Sequence, residues 1–167
     1  SVCFDTETTG IDVFTADLVG LSFCFTAGEA YYVSLPAGRS ECLEVMKEFK
    51  AFFQSDQIQK IGQNIKYDLL VLRRAGIELK GISFDTMIAS YLINPSERRH
   101  NMDDLAEEYL KYRTITYKEL TGTGKNAVPI TEVPLDRLAE YATEDADITL
   151  RLHNVLSPLL KKNELVD

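Results

Sequence analysis

The chain has 167 residues and a formal net charge of −8, 18 Lys and Arg standing against 26 Asp and Glu. That length suits one domain able to bury roughly 70% of its unfolded surface without disulfide staples, and 45% hydrophobic content with 8 Phe and 8 Tyr excludes a disordered chain. No run of about 18 apolar residues and no charged-then-apolar leader is present, so no membrane segment is expected and a cytoplasmic protein is.

Along the chain, Val2 to Asp5 reads as a short strand, Leu18 to Phe25 as a second, and Tyr31 to Leu35 as a third, joined to the second by a turn at Ala27-Gly28-Glu29. Leu43, Met46, Phe49 and Phe53 place a helix over 40–54. Ile58 to Gly62 follows as a strand, and Ile65 to Ala75 as a helix with Asn64 as its N-cap. Ser83-Phe84-Asp85 leads into a helix near 86–93, stopped by Asn94-Pro95. Asp103 to Leu110 is a further helix, residues 111–133 read as irregular, and a long helix runs from Pro134 to about Leu156, before Pro158. Strands come first and helices dominate later, which predicts an α/β domain with a mixed sheet covered by helices. Cys3, Cys24 and Cys42 show no C-x-x-C pair, so reduced, buried thiols are expected. The chain enters a strand without an initial Met, and a piece of a longer protein is expected.

The overall acidity argues at first against a nucleic-acid partner, because phosphate binders are usually basic. The charge is uneven, however. Residues 1–59 hold 3 Lys and Arg against 9 Asp and Glu, whereas 60–113 hold 9 against 8, so the middle of the chain can face a polyanion.

Three carboxylate positions stand out. Cys3, Asp5 and Glu7 share one face of the first strand, so two carboxylates about 7 Å apart repel each other unless a cation sits between them. Asp145 lies at heptad spacing from Leu138 and Leu152, on an apolar stripe with Ala142, Thr149 and Leu156, and Tyr141 lies one turn before it. An inward Asp there is neutral, paired to Arg or Lys, or metal-bound. Glu144 and Asp147 read as surface charges near Arg137 and Arg151. Asp68 in the first turn after Asn64 is accounted for by the helix dipole alone. Taken together, Asp5, Glu7, Asp68 and Asp145 come from three distant segments. Such a carboxylate cluster suits two hard divalent cations about 4 Å apart, an arrangement that serves phosphoryl transfer.

The runs Phe4-Asp5-Thr6-Glu7-Thr8-Thr9-Gly10, Asn64-Ile65-Lys66-Tyr67-Asp68 and Tyr141-Ala142-Thr143-Glu144-Asp145 resemble, in order, the three motifs of the DEDD 3′–5′ exonucleases. Tyr141 stands four residues before Asp145, and Glu140 stands where the histidine subtype carries His, so the resemblance is to the tyrosine subtype. Phe84-Asp85-Thr86-Met87, Arg99-His100-Asn101-Met102-Asp103, Thr114-Ile115-Thr116-Tyr117 and Gly122-Thr123-Gly124-Lys125-Asn126 are similar to the proofreading domains of bacterial family A DNA polymerases, DNA polymerase I. The resemblance covers essentially the whole chain. It implies a single exonuclease domain over residues 1–167, a fragment of a larger polymerase. The implied fold is a ribonuclease H-like mixed five-stranded sheet flanked by helices.

The resemblance implies hydrolysis of the terminal phosphodiester at DNA 3′ ends, releasing deoxynucleoside 5′-monophosphates, in a proofreading role. Asp5, Glu7 and Asp145 would hold the tighter of two divalent ions. Asp5 would bridge to the second, which Asp68 reaches largely through water; Mg²⁺ is expected, with Mn²⁺ or Zn²⁺ as alternatives. Tyr141 would orient the attacking water, since an ordinary phenol pKa of about 10 is a poor match for a base at neutral pH. Among substrate contacts, Glu7 would face the terminal 3′-hydroxyl, and Asn64 and Arg99 the terminal phosphodiesters. Ile11 would act as an apolar wedge between the last two bases, and Tyr117 as a stacking aromatic; Thr6 belongs to the same set. Core packing is the plain structural alternative for Ile11 and Tyr117.

The implied partners are a single-stranded or frayed DNA 3′ end and the polymerase domain of the parent chain, with no membrane. Two divalent ions would bring the four carboxylates close to neutrality, so the charge of −8 no longer argues against DNA. It argues for engagement at the strand end, with most long-range grip supplied by a neighbouring domain. Competing readings are a free-standing exonuclease of the ribonuclease D or Werner type, and an inactive nucleic-acid-binding domain of the same fold. Gly122-Thr123-Gly124-Lys125 is not a P-loop, because Glu119 and Asn126 stand where Gly and Ser or Thr are needed. His100 and His153 are expected at the surface or behind the site.

Overall fold

A computed structural model of the chain describes residues 1–166. Its centre is the strand β1 (Val2–Thr8). Val2, Phe4 and the facing Leu21 and Phe23 are buried on one side with Met46, Phe53, Ile65 and Leu72, while Cys3 is buried on the other with Cys24, Ile61, Ala146 and Leu150. Alternating side chains therefore feed two cores, one on each face of the sheet.

β2 (Leu18–Thr26) and β3 (Glu29–Ser34) extend the sheet antiparallel from β1. Gly28 at their turn has φ of +89°, a conformation in which a Cβ is strained. β4 (Lys60–Gly62) and β5 (Ile82–Asp85) extend it on the other side, both parallel, giving the order β3-β2-β1-β4-β5. This is the mixed five-stranded sheet expected. Residues 82–85, read from the sequence only as the approach to a helix, form the fifth strand; at four residues, with Ile82 and Ser83 exposed, the segment carries little alternation.

Helices α1 (Arg39–Phe53) and α2 (Ile65–Arg74) pack over the first face. The long helix α6 (Leu135–Lys162) crosses the second face, and α3 (Thr86–Ile93), α4 (Met102–Leu105) and a π-helical turn over Ala106–Leu110 pack on its C-terminal half. Two sequence expectations change here. The region 111–133 contains a helix, α5 (Tyr117–Thr121), closed by a capping box between Thr116 and Glu119, a T-x-x-E signal the sequence does carry. α6 also runs through Pro158 instead of stopping before it. Pro158 lies on the exposed side of the helix, while Leu156 and Leu160 stay buried in the core beneath. Burying Leu160 offsets a proline cost of about 3 kcal/mol. All three cysteines are buried and free, as expected. Among the described residues no helix is long and apolar enough to cross a membrane.

Candidate active site

Two elements deliver the central carboxylates. On β1, Asp5 and Glu7 share the parity of Cys3 and so face α6, with Asp5 opposite Ser22 and Glu7 opposite Gly20 of β2. On α6, Asp145 is 7% exposed within the stripe read from the sequence, among buried Leu138, Ala142 and Thr149. One carboxylate oxygen from each of Asp5, Glu7 and Asp145 lies within 4.8 Å of the others. No Lys, Arg or His forms an ion pair with any of the three among the described residues. Oε1 of Glu7 and Oδ1 of Asp145 are buried without any hydrogen-bond partner. Of the three fates open to an inward Asp145, pairing with a cationic side chain is thereby removed.

The electrostatics follow from that crowding. Burial raises the Asp5 carboxyl to about 7, against a hydrogen bond from the Thr6 backbone that lowers it. Burial and then the Asp5 charge raise Glu7 to about 8. Asp145 is pushed well above the usual carboxylate range by burial, then by Asp5 and Glu7, with the nearby Tyr141 hydroxyl opposing. The Tyr141 phenol is driven upward by burial and then by the Asp145 charge, so it keeps its proton throughout the neutral range. Buried carboxylate oxygens with no donor and no counter-charge are the state that a divalent cation relieves. The residues present therefore fit such an ion.

Asp68 stands apart from this trio. It projects from α2, on the opposite face of the sheet, and its Oδ1 accepts from the Thr6 backbone N–H at 3.1 Å and the Thr6 hydroxyl at 2.6 Å. It is 2% exposed, and burial followed by the Asp5 charge raises it well above the carboxylate range. Thr6, read from the sequence as a substrate contact, is itself buried and commits its hydroxyl to Asp68. The structure gives it a positioning role.

Asn64 does not cap α2 with its side chain. It sits in the left-handed region at φ 55°, and the cap comes from Asp85 at the end of β5. Asp85 accepts from the N–H groups of Asn64 (3.2 Å) and Ile65 (2.9 Å), and from Met87 (2.8 Å) and Ile88 (3.2 Å) at the start of α3. One carboxylate thus fixes the starts of two helices, including the one that carries Asp68. An Asp before a helix reads as an N-cap from sequence; its second set of donors comes from a segment about 20 residues away and leaves no local signal. Asp85→Ala is expected to lower the unfolding free energy by about 2–3 kcal/mol, two caps being lost together, read as a lower urea midpoint.

The substrate-contact candidates lie at the surface. Ile11 is 95% exposed and Tyr117 48%, which removes core packing as their role. The loop bearing Ile11 is anchored at its root by Tyr67, whose hydroxyl donates to the Gly10 carbonyl at 2.6 Å and lies 2.6 Å from the Thr8 hydroxyl. Tyr67 sits inside the second motif, yet its sequence position alone gives no sign of this anchoring role. Arg99 is exposed, 3.9 Å from Asp104, a surface pair of little strength. The Nδ1 of His100 lies 2.9 Å from the Ser90 hydroxyl, and His153 packs edge-on to Phe84. Glu144 is not a free surface charge: it accepts from the Tyr112 hydroxyl (2.7 Å) and the Ile115 N–H (2.6 Å), tying residues 112–115 to α6. Asp147 pairs with Arg151 at 2.6 Å, as expected, and also accepts from the Gly28 N–H at the β2–β3 turn.

Comparison with known proteins adds three findings. The model of a 3′–5′ exonuclease family, DNA_pol_A_exo1, matches residues 1–161. DNA polymerase I of Pseudomonas aeruginosa is 40% identical over 163 residues; the match covers 93% of this chain and 18% of that protein. Brucella melitensis NrnC has been solved with bound Mg²⁺, at 25% identity and TM-score 0.76, and bound to pGG, at 26% and 0.76; both cover 98% of this chain and 74% of NrnC.

Proposed function

The chain belongs to the 3′–5′ exonuclease family whose model spans it, and we propose that it is the editing exonuclease of a bacterial DNA polymerase I. The observation that carries the site assignment is the set of buried, unpartnered carboxylate oxygens of Glu7 and Asp145 gathered with Asp5 within 4.8 Å. In this reading Asp5, Glu7 and Asp145 hold one divalent ion, and Asp68 with Asp5 serves a second, Mg²⁺ being the fitting hard cation. When bound, such ions strengthen water as a nucleophile near neutral pH and neutralise charge on the leaving 3′ oxygen.

The chain's own groups do the rest. Tyr141 keeps its proton and stands one helical turn from Asp145, so it orients the attacking water and leaves proton removal to other groups. Glu7 faces the terminal 3′-hydroxyl with its free oxygen. Asn64 and Arg99 meet the terminal phosphodiesters, Ile11 parts the last two bases, and Tyr117 stacks on a base without reading its identity. Water adds to the terminal phosphorus, the bond to the 3′ oxygen of the preceding nucleotide breaks, and a deoxynucleoside 5′-monophosphate leaves.

The match to DNA polymerase I, of which it covers 18%, supports a parent chain with a polymerase domain; in this reading the protein works in the cytoplasm on single-stranded or frayed 3′ ends. An inactive domain is disfavoured because all four carboxylates are present. The likeness to NrnC bound to pGG favours a second reading, a free-standing exonuclease of the ribonuclease D or Werner type acting on RNA or structured DNA. Matched DNA and RNA octamers incubated with Mg²⁺ separate the two. DNA is expected to shorten stepwise from its 3′ end, at least tenfold faster than RNA, releasing 5′-monophosphates; faster loss of RNA overturns the polymerase assignment.

A further inference from the structure

The parallel strands β1, β4 and β5 run in one direction, and their carboxyl ends, at Thr8, Gly62 and Asp85, lie on the same side of the sheet. The end of β1 carries the carboxylate trio, β4 leads into Asn64 and Asp68, and β5 leads into α3. Ligands of such sheets gather outside the carboxyl ends of the strands. α3 is bonded directly to the second motif: Asp85 caps both helices, the Gln63 side-chain amide donates to the His100 carbonyl at 2.8 Å, and the Thr86 hydroxyl bonds Gln63 Oε1.

Along the outer side of α3 runs an open groove of about 500 Å³, lined by Met87, Ile88, Tyr91, Arg98, Arg99 and His100, with Asn101 at its end. Ile88 is 56% exposed and Tyr91 54%. Arg98 is exposed and makes no ion pair among the described residues, and Arg99 has only the loose contact with Asp104. No carboxylate lines the groove, in a chain of net charge −8. His100 leaves its Nε2 without a partner.

A lining of apolar and aromatic side chains together with exposed guanidinium groups fits flat bases joined by phosphates, and it fits them without reading sequence. We propose that this groove is the track of the single strand behind the cleaved end, seating nucleotides 5′ of the terminal pair. The proposal rests on the exonuclease reading and extends it: the terminal contacts are Ile11, Asn64, Arg99 and Tyr117, whereas Tyr91, Ile88 and Arg98 serve the strand upstream. It also accounts for the near-neutral stretch over 60–113 that the carboxylate site leaves unused.

The test compares the wild-type chain with the double variant Tyr91→Ala, Arg98→Ala on oligodeoxythymidylates of two and ten nucleotides. Both side chains are exposed, so the variant is expected to fold, with a melting temperature near that of the wild type. The KM for the dinucleotide is expected to stay within about twofold, while that for the decamer rises about tenfold, one base stack being lost. The slope of log KM for the decamer against log salt flattens by about 0.7, one phosphate contact being lost. An unchanged decamer KM and salt slope overturn the proposal and leave the groove to a protein partner. An equal rise for both lengths overturns it too, placing these residues at the terminal nucleotide. If the wild type cleaves no DNA, the exonuclease reading fails separately, and the groove is judged by fluorescence anisotropy with the decamer in EDTA: a Kd weaker by about tenfold in the variant upholds it, an equal Kd refutes it.

Discussion

Asp145→Ala is expected to lower single-stranded DNA digestion with Mg²⁺ or Mn²⁺ by roughly a thousandfold, while raising the melting temperature of the metal-free chain at pH 8. Both effects come from one geometry. Asp145 provides one of the three oxygens gathered within 4.8 Å, so its loss removes a cation ligand. In the metal-free chain the same carboxylate is a buried liability, pressed against Asp5 and Glu7 with no cationic side chain paired to it. Alanine suits the site: it is the best helix former, and its neighbours Ala142 and Ala146 are already fully buried beside it. Relief of burial and like-charge repulsion is on the order of 1–3 kcal/mol, or about 3–10 °C in a domain of this size. Digestion assays and calorimetry in EDTA measure the two effects on the same preparations. Equal activity in the two proteins removes Asp145 from the site. Lost activity with a lowered melting temperature assigns it to the fold.

The parts of this site visible in the sequence are those fixed by short periods. Alternation puts Asp5 and Glu7 on the face of Cys3, and heptad spacing puts Asp145 on a buried stripe; the structure joins those two faces. The strand register and the sheet order rest on pairing between distant segments, which no local pattern encodes, and β5 escapes a sequence reading for that reason. Asn64 shows the same limit. Its identity and position make it a good N-cap, yet its side chain caps nothing because Asp85 arrives from another strand and takes both N–H groups. Glu144 looks like a solvated charge because its partners, Tyr112 and Ile115, lie about 30 residues earlier. Pro158 misleads in the other direction, since the burial of Leu160 decides the helix and propensity does not. Exposure is undetermined as well: the apolar Ile11 and the aromatic Tyr117 are suited equally to a core and to a surface that meets bases.

The metal-free chain is expected to lose stability as pH rises from 5 to 8, and divalent cations are expected to restore it. In the folded chain Asp5 titrates at about 7 and Glu7 at about 8, whereas an unfolded carboxyl titrates at about 4. Between these values the folded chain holds protons that the unfolded chain has released, so rising pH favours unfolding. The stabilisation is complete below about pH 4 and is lost as pH climbs through 7 and 8. Asp68 and Asp145, both raised well above the carboxylate range, act in the same direction. At about 1.4 kcal/mol per pH unit for each group, Asp5 and Glu7 give a fall on the order of 5 kcal/mol or more between pH 5 and 8. Cation binding requires the deprotonated carboxylates, so Mg²⁺ or Mn²⁺ should raise the melting temperature strongly at pH 8 and weakly at pH 5. At roughly a hundredfold excess over Kd the gain is about 2.7 kcal/mol, or roughly 5–10 °C. Asp145→Asn keeps the shape of the side chain and removes its charge, so it should flatten the pH profile and shrink the cation effect together. Thermal scans at three pH values, with EDTA and with Mn²⁺, supply every comparison. A flat profile in EDTA refutes the buried like-charge cluster, and a cation effect of equal size in the Asp145→Asn variant and the wild type refutes Asp145 as a ligand.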